Sequence, residues 1–302
     1  MNEILNVNSI VKKFGKSVAV DGVSFKAYSG RIFGLLGPNG AGKTTTIRMI
    51  TNILMPDEGS ITLYGERVSS KLQNRIGYLP EERGLYKKSK VIEQLVYFAR
   101  LKGMDGKDAL ISSRRWLDKL GALNWQHKKI QELSKGMQQK VQFISTVTHD
   151  PDFLIFDEPF SGFDPVNRDT LKDVILELKD AGKTIILSTH VMEQVEQLCD
   201  DICLINNGRV VLEGKVSEIK SGFGRDTAVI EFDGDDSFIN EMNGIKLINK
   251  SKGRVEFKLP KDMNNPSELL KIAADKVKIY KFDIQAPSLH EIFVETVSRK
   301  EE

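Results

Sequence analysis

Gly37-Pro38-Asn39-Gly40-Ala41-Gly42-Lys43-Thr44-Thr45 is the stretch around which the chain is arranged. Before it, Arg31-Ile32-Phe33-Gly34-Leu35-Leu36 is a short apolar run bounded by Gly30 and Gly37, the pattern of a buried strand. After it, Thr45-Thr46-Ile47-Arg48-Met49-Ile50 has the apolar spacing of a helix. A strand, a loop of the form G-x-x-x-x-G-K-[ST] and a helix make a phosphate-binding P-loop. The glycines keep side chains away from a polyphosphate and permit the positive φ values that turn successive N–H groups into an anion nest. The helix start aims its unpaired N–H groups at the same anion. Lys43 adds a full charge for the β- and γ-phosphates, and the Thr44 hydroxyl is placed to coordinate Mg²⁺. A plain Gly-rich turn is the bland alternative, and the flanking strand and helix disfavour it.

The 302 residues suggest about two domains of ordinary globular composition. Lys+Arg 44 against Asp+Glu 42 leaves a net charge of +2, so no global field favours nucleic acid or an anionic membrane. No apolar run approaches the ~18 residues needed to span a bilayer, and the polar start Met1-Asn2-Glu3 does not read as a signal peptide. The expectation is a cytoplasmic chain without direct membrane insertion, whose membrane role comes through a partner. Cys199 and Cys203 are too few for a disulfide framework and read as small core residues rather than metal ligands.

Two strand-like runs, near Leu5-Asn6-Val7 and from Ala19 to Phe25, precede the P-loop. Between them Phe14 is either a platform for an adenine ring or a core or hairpin aromatic. Strands are expected at Ser60–Gly65 and Ile76–Pro80, the second running into Glu81-Glu82-Arg83-Gly84. Residues 90 to 149 read as helices, with Gly103 and Gly106 separating the first from the next. Ser134, in Leu133-Ser134-Lys135-Gly136-Met137, is placed as a helix N-cap. Phe153-Leu154-Ile155-Phe156-Asp157-Glu158-Pro159 is an apolar strand ending in two carboxylates. Beside a P-loop strand, an acid at that end is a Mg²⁺ ligand; without one, a solvated strand end is as good a reading. A helix over 166–181, a strand at Thr184–Ser188 ending at Thr189-His190, and a hairpin around Asn207-Gly208 follow. Beyond about Ser221 come short strands (228–232, 254–259, 277–282) and one helix (266–274), a small α+β domain without a catalytic cluster.

In this order the motifs resemble the ATP-binding subunit of an ATP-binding cassette (ABC) transporter, over about residues 3 to 218. The most specific element, Leu133-Ser134-Lys135-Gly136-Met137-Gln138-Gln139-Lys140, resembles the family's LSGGQ signature and falls shortly before Phe156-Asp157-Glu158-Pro159. Asp164, in Ser161-Gly162-Phe163-Asp164-Pro165, matches the D-loop, His190 the switch histidine and Phe14 the adenine-stacking aromatic. The resemblance implies a P-loop ABC cassette of α/β class: a mixed central sheet with helices, an antiparallel N-terminal β subdomain and a helical signature subdomain near 83–150. The cassette would occupy 1–218, and a small α+β accessory domain 219–302.

It further implies ATP and Mg²⁺ as cofactors, held at the loop Gly37–Thr45. Two copies would sandwich two ATP molecules, Ser134, Gly136 and Asp164 of one facing the P-loop of the other. Asp157 and Glu81 would join Thr44 on Mg²⁺. Glu158 would act as general base, and His190 and Lys43 would contact the γ-phosphate.

Three positions depart from the family pattern. Glu81 stands where the Q-loop has glutamine; a carboxylate coordinates Mg²⁺ more strongly but donates no hydrogen bond. Lys135 replaces a signature glycine and Met137 its glutamine. The Glu81 Q-loop, the C-terminal extension and Pro287-Ser288-Leu289-His290-Glu291-Ile292-Phe293 resemble stand-alone ATPases of ABC-2-type exporters, nearest the sodium-efflux (NatA-like) type, with drug and peptide exporters sharing the pattern. The expected partners are a second ATP-binding subunit, here a homodimer, and a separate permease, with no nucleic acid. The competing class is an ABC ATPase acting on ribosomes or DNA. A single cassette, a short helical insert and a near-neutral charge disfavour it, and Lys43, Asp157, Glu158 and His190 together disfavour a cassette with dead chemistry.

Overall fold

A computed structural model describes residues 2–82, 84–224, 227–241, 245–260 and 267–301. The chain divides into two compact units, Met1–Lys215 and Val216–Glu302. The first begins with a long hairpin, β1 (Glu3–Phe14) and β2 (Ser17–Tyr28), closed by the two-residue turn Gly15-Lys16. The sequence marks only part of these strands: Ile10 and Val11 are buried beyond the first apolar run, while the hairpin end from Lys13 to Val18 faces solvent. Next come β3 (Ile32–Leu36), the Gly-rich loop and α1 (Lys43–Ile50). Strands β4 (Glu58–Leu63) and β5 (Glu66–Arg67) return to the first hairpin and complete an antiparallel sheet of order β2-β1-β4-β5. Their turn puts Tyr64 (φ 56°) and Gly65 (φ 78°) in the left-handed region, as a two-residue hairpin of type I′ demands.

After β6 (Ile76–Leu79) come three helices, α2 (Val91–Leu101), α3 (Gly106–Lys119) and α4 (Lys135–Val147). Gly103 (φ 95°) ends the first of them. Gly106, expected to be a breaker, is instead the first residue of α3, because the Asp105 carboxylate caps that helix by accepting from Lys107 N at 2.9 Å. The chain continues through β7 (Phe153–Asp157), α5 (Pro165–Asp180), β8 (Thr184–Thr189), α6 (Met192–Leu198), β9 (Asp201–Asn206) and β10 (Arg209–Lys215).

The central sheet has the order β10-β9-β3-β8-β7-β6 and is parallel except for β10. Strands β3, β7 and β8 are buried along their whole length, which is why they read as unbroken apolar runs rather than alternating ones. The strand carrying Asp157 is not the neighbour of the P-loop strand, as the sequence reading assumed. Strand β8 lies between them, pairing Leu36 with Thr189 on one side and Asp157 with Ser188 on the other. Three strand ends, not two, therefore converge on the site. The core between the two sheets holds Leu5, Val7, Phe25, Phe33, Ile47 and Ile155 among others, with Phe25 and Phe33 stacked at 4.9 Å.

The second unit contains α7 (Val216–Gly222), β11 (Thr227–Asp233), β12 (Lys246–Ser251), β13 (Arg254–Lys258), α8 (Ser267–Ala274), β14 (Lys278–Gln285) and α9 (Leu289–Glu301). Its strands form an antiparallel sheet of order β12-β13-β11-β14. Phe232, Phe238, Phe257 and Leu269 fill its core. Pro266, where the sequence places a helix start, lies outside the described residues. The sequence reading missed β12, a mostly exposed edge strand whose adjacent Leu247 and Ile248 stand among polar and charged residues and give no alternation. It also missed α9, whose start is a capping box. Ser288 Oγ accepts from Glu291 N at 3.2 Å, and Glu291 Oε2 accepts from Ser288 N at 2.6 Å. That S-x-x-E signal was present in the sequence.

Candidate functional site

The loop between β3 and α1 is built so that no other residue fits at Gly37 or Gly42. Gly37 has φ +146°, and a Cβ there would lie 2.1 Å from the Ile205 carbonyl oxygen. Gly42 (φ +108°) would place one 2.6 Å from that of Ala19. The β9–β10 turn clamps the loop from below, as Gly208 N donates to Ala41 O at 3.0 Å while Asp21 N donates to Gly208 O at 2.8 Å. The helix starts at Lys43, two residues earlier than its apolar spacing suggests. Lys43 is nearly buried, and its Nζ donates to the carbonyls of Gly37 (2.7 Å) and Pro38 (3.0 Å). Burial lowers its pKa, opposed by the charges of Glu158, Asp157 and Glu81.

A cleft of about 230 Å³ opens over this loop. Asn39, Gly40 and residues 42–45 line one side, Glu81, Asp157 and Glu158 the other, and Ala19 of β2 an edge. Gly37, Pro38 and Ala41 shape the loop from behind. Phe14 is the last residue of β1 and half exposed, which removes the core reading; it does not line the cleft.

Asp157 ends β7 and is 1% exposed. Its Oδ2 accepts from Thr44 Oγ1 at 3.2 Å, so the loop and the acid meet across the end of β8. Burial raises the Asp157 pKa, partly offset by the Ser188 hydroxyl, which makes no hydrogen bond of good geometry, and by Thr44. A raised carboxyl pKa means the folded chain holds the proton more tightly than the unfolded one. Ionised Asp157 thus costs stability at neutral pH, and the cost fades as pH falls through the raised value. Asp157→Asn is expected to raise the melting temperature of the nucleotide-free protein by about 2–4 °C, about 1 kcal/mol. Added Mg²⁺ and ATP should stabilise that variant less than the parent; calorimetry checks both.

Glu158 has a left-handed backbone (φ 50°), fixed by its N–H donating to Ser188 O at 2.9 Å. Such strain in a non-glycine residue persists only where the surroundings impose it. Three donors hold its carboxylate. Oε1 meets His190 N at 3.0 Å and His190 Nδ1 at 2.6 Å, and Oε2 accepts from Thr189 Oγ1 at 3.1 Å. All three come from the end of β8 or just beyond it. Engaging Nδ1 with the carboxylate leaves Nε2 of the half-exposed His190 as its outward-facing nitrogen.

Glu81 follows β6 and Pro80 and lines the cleft. Its loop is held from α4, where Gln142 Nε2 donates to the carbonyls of Pro80 (3.2 Å) and Glu82 (3.1 Å). Nearby, burial first and the Asp157 charge second push the Tyr78 hydroxyl up to about 12. Ser134 caps α4, accepting from Met137 N at 3.3 Å, and Asp164 caps α5, accepting from Asn167 N at 3.0 Å. Ser134, Lys135 and Asp164 are exposed, and neither they nor Gly136 lines the cleft of their own chain. Sequence reasoning missed Ala19, Gln142 and Thr189. Only Thr189 carried a signal, its place beside His190 at a strand end. Cys199 and Cys203 are buried, and burial pushes both thiols up, away from reactivity.

Residues 20–161 match the ABC transporter family, and residues 214–297 match the C-terminal domain of DrrA1-3-like ATP-binding proteins. The chain is 45% identical over 294 residues to the ABC transporter ATP-binding protein YhaQ of Bacillus subtilis, covering 97% of this chain and 98% of that one. It is 39% identical to the Nod factor export ATP-binding protein I of Ralstonia nicotianae, over 77% and 73% of the two chains. With the linearmycin resistance ATP-binding protein LnrL of Bacillus subtilis the identity is 30%, over 98% and 99%. A solved ATP-binding subunit of an ABC transporter superimposes with a TM-score of 0.69 at 30% identity, covering 73% of this chain and 93% of that one. A loop that needs glycine at Gly37 and Gly42, two carboxylates across it and two relatives matched over nearly their whole length agree: the chain belongs to the ATP-binding subunits of ABC transporters.

Proposed function

We propose that this subunit hydrolyses ATP as one half of a homodimer and powers export through a separate ABC-2-type membrane permease. The observation that carries the hydrolytic reading is Glu158, strained, threefold held and facing the cleft beside Asp157. In this reading the loop N–H groups, the start of α1 and Lys43 bind the β- and γ-phosphates. Glu158 takes the proton of the attacking water, and His190 keeps Glu158 oriented while its outer nitrogen faces the γ-phosphate. Thr44 and Asp157, with Glu81, are hard oxygen ligands of the kind that hold Mg²⁺ jointly with nucleotide phosphates, where the ion neutralises phosphate charge. Among the described residues no group of three His, Cys, Asp or Glu side chains is arranged to hold a metal alone, which fits an ion that shares its shell with nucleotide.

Ser134, Gly136 and Asp164, away from their own cleft, act on the nucleotide of the second copy. Phe14, exposed at the tip of the first hairpin, stacks on the adenine. The cassette ends near residue 218, and the α+β unit after it is an accessory domain.

No helix among the described residues is long and apolar enough to cross a membrane. In this reading the subunit sits on the cytoplasmic face, bound through the permease, as its membership among ABC transporter ATP-binding subunits suggests. Two relatives carry export or resistance in their names, which supports the direction of transport. The Glu81 loop and the 287–293 motif support the ABC-2-type exporter group, within which sodium efflux is the cargo proposed and drug or peptide efflux shares the pattern.

Sedimentation of Glu158→Gln protein tests the reading: a dimer with Mg²⁺ and ATP and a monomer with ADP are expected. A monomer that binds ATP would contradict it.

The loop 83–88 is proposed to receive the permease; Arg83 lies outside the described residues. Buried Gln94 fixes the loop by accepting from Tyr86 N at 3.1 Å, and exposed Tyr86 stacks on Phe98 at 6.0 Å. Reversing Lys87 and Lys88 to glutamate is expected to abolish export in cells while ATP hydrolysis by the purified subunit is retained. Equal loss of both would count against this docking site.

A further inference from the structure

Lys140, the last residue of the signature stretch and one turn into α4, is a partly buried cation whose direct contacts are all neutral groups. Its Nζ donates to Leu120 O at the end of α3 (3.0 Å) and to Asn167 Oδ1 on α5 (2.8 Å), and sits 5.7 Å from the centre of the Trp125 ring. Burial lowers its pKa, and the charge of Asp164 opposes that. The contact with Asn167 is directional. An ammonium only donates, so it takes the amide oxygen and forces the Asn167 NH₂ group to the other side. There Nδ2 donates to Asp164 Oδ2 at 2.5 Å, while Asn167 N donates to Asp164 Oδ1 at 3.0 Å. Both oxygens of the carboxylate are thereby held. The same two segments also lie close together at Gly136, where an added Cβ would come 3.4 Å from Gly162 O. Helix α4 thus carries Ser134 and Gly136 at its start and, through Lys140 and Asn167, sets the segment 161–164.

We propose that Lys140 is a positioning residue that acts through Asn167 on Asp164, locking the signature and the D-loop into one rigid edge presented to the nucleotide of the second copy. This rests on the dimeric reading above. The alternative is a structural clamp, in which Lys140 serves only to hold the end of α3 through Leu120. The two differ at Asn167, which the clamp does not need.

The test uses the full chain in the Glu158→Gln background. Dimerisation with Mg²⁺ and ATP is followed by sedimentation, and ATP affinity of the monomer by equilibrium binding at protein concentrations below dimerisation. Lys140→Met and Asn167→Leu are each expected to weaken dimerisation about tenfold, with the double variant no worse than either single one. Monomer ATP affinity should be unchanged, and Lys140→Arg, which keeps the donor, should restore dimerisation. If the Glu158→Gln protein itself stays monomeric, the proposed function fails. If it dimerises and Asn167→Leu dimerises as tightly, the relay is overturned whatever Lys140→Met does. An equal fall in monomer ATP affinity overturns it too. Should Lys140→Met fail to fold, Asn167→Leu and Lys140→Arg still decide.

Discussion

Glu158→Gln is expected to lower steady-state ATP turnover by about 10²–10⁴-fold, the usual worth of a positioned general base, with ATP affinity changed by no more than a few-fold. The geometry gives the reason for both halves. The base is held at a strained backbone position by Thr189 and by two groups of His190, so it reaches the cleft without searching. Glutamine is isosteric: its oxygen can still accept from the His190 N–H and its NH₂ can donate to the Thr189 hydroxyl, so the β8 end should keep its shape. What it cannot do is take a proton. In the proposed reading, phosphate binding belongs to other groups, the glycine loop and Lys43. If Glu158, His190 and Lys43 act as a unit, as proposed, combined substitutions should lose little more than the worst single one. Parallel measurements of phosphate release and of ATP binding check the separation. Comparable losses in both would move Glu158 from the chemical step to binding.

Gly37→Ala is expected to destabilise the cassette by about 3 kcal/mol or more, whereas Gly40→Ala in the same loop should cost about 1–2 kcal/mol. Both glycines have positive φ, so backbone strain alone does not separate them. Space does. A Cβ at Gly37 would lie 2.1 Å from the carbonyl oxygen of Ile205 and 3.1 Å from the Ala41 side chain, while at Gly40 nothing lies within 4 Å. The Ile205 oxygen belongs to a central-sheet backbone and cannot swing aside as a side chain would. Relief has to come from moving the loop away from β9, which also disturbs the Gly37 carbonyl that holds Lys43. Urea midpoints at constant m-value measure the two costs. Equal costs would show that the loop is not seated against β9 as described.

The parts of this molecule that the sequence discloses are those whose physics is local. The P-loop shows because a phosphate nest needs glycines and a lysine at fixed spacing. The strands of the parallel sheet show because burial on both faces leaves only apolar residues. The order of those strands is not local, and the sequence placed Asp157 one strand too close to the loop. The consequence reached the chemistry. Inserting β8 is what brings Ser188, Thr189 and His190 between the two halves of the site, so the support of Glu158 by Thr189 left no sequence signal beyond its place beside His190 at a strand end. Gln142 was hidden for a related reason. A buried glutamine on an amphipathic helix looks like an imperfection in the apolar face until the carbonyls of Pro80 and Glu82 are seen at its tip. In the second unit, β12 gave no alternation to read because it is an exposed edge. The capping box at Ser288 and Glu291 was legible and went unused.

Tagged Glu158→Gln protein, recovered from detergent-solubilised membranes of its own cells with Mg²⁺ and ATP present, tests the central claim most directly. The substitution should trap the closed dimer, and the account predicts that a polytopic membrane protein co-purifies with it at fixed stoichiometry and is lost when Lys87 and Lys88 are reversed. Recovery of ribosomes or DNA-bound proteins with no membrane protein would contradict the transport reading.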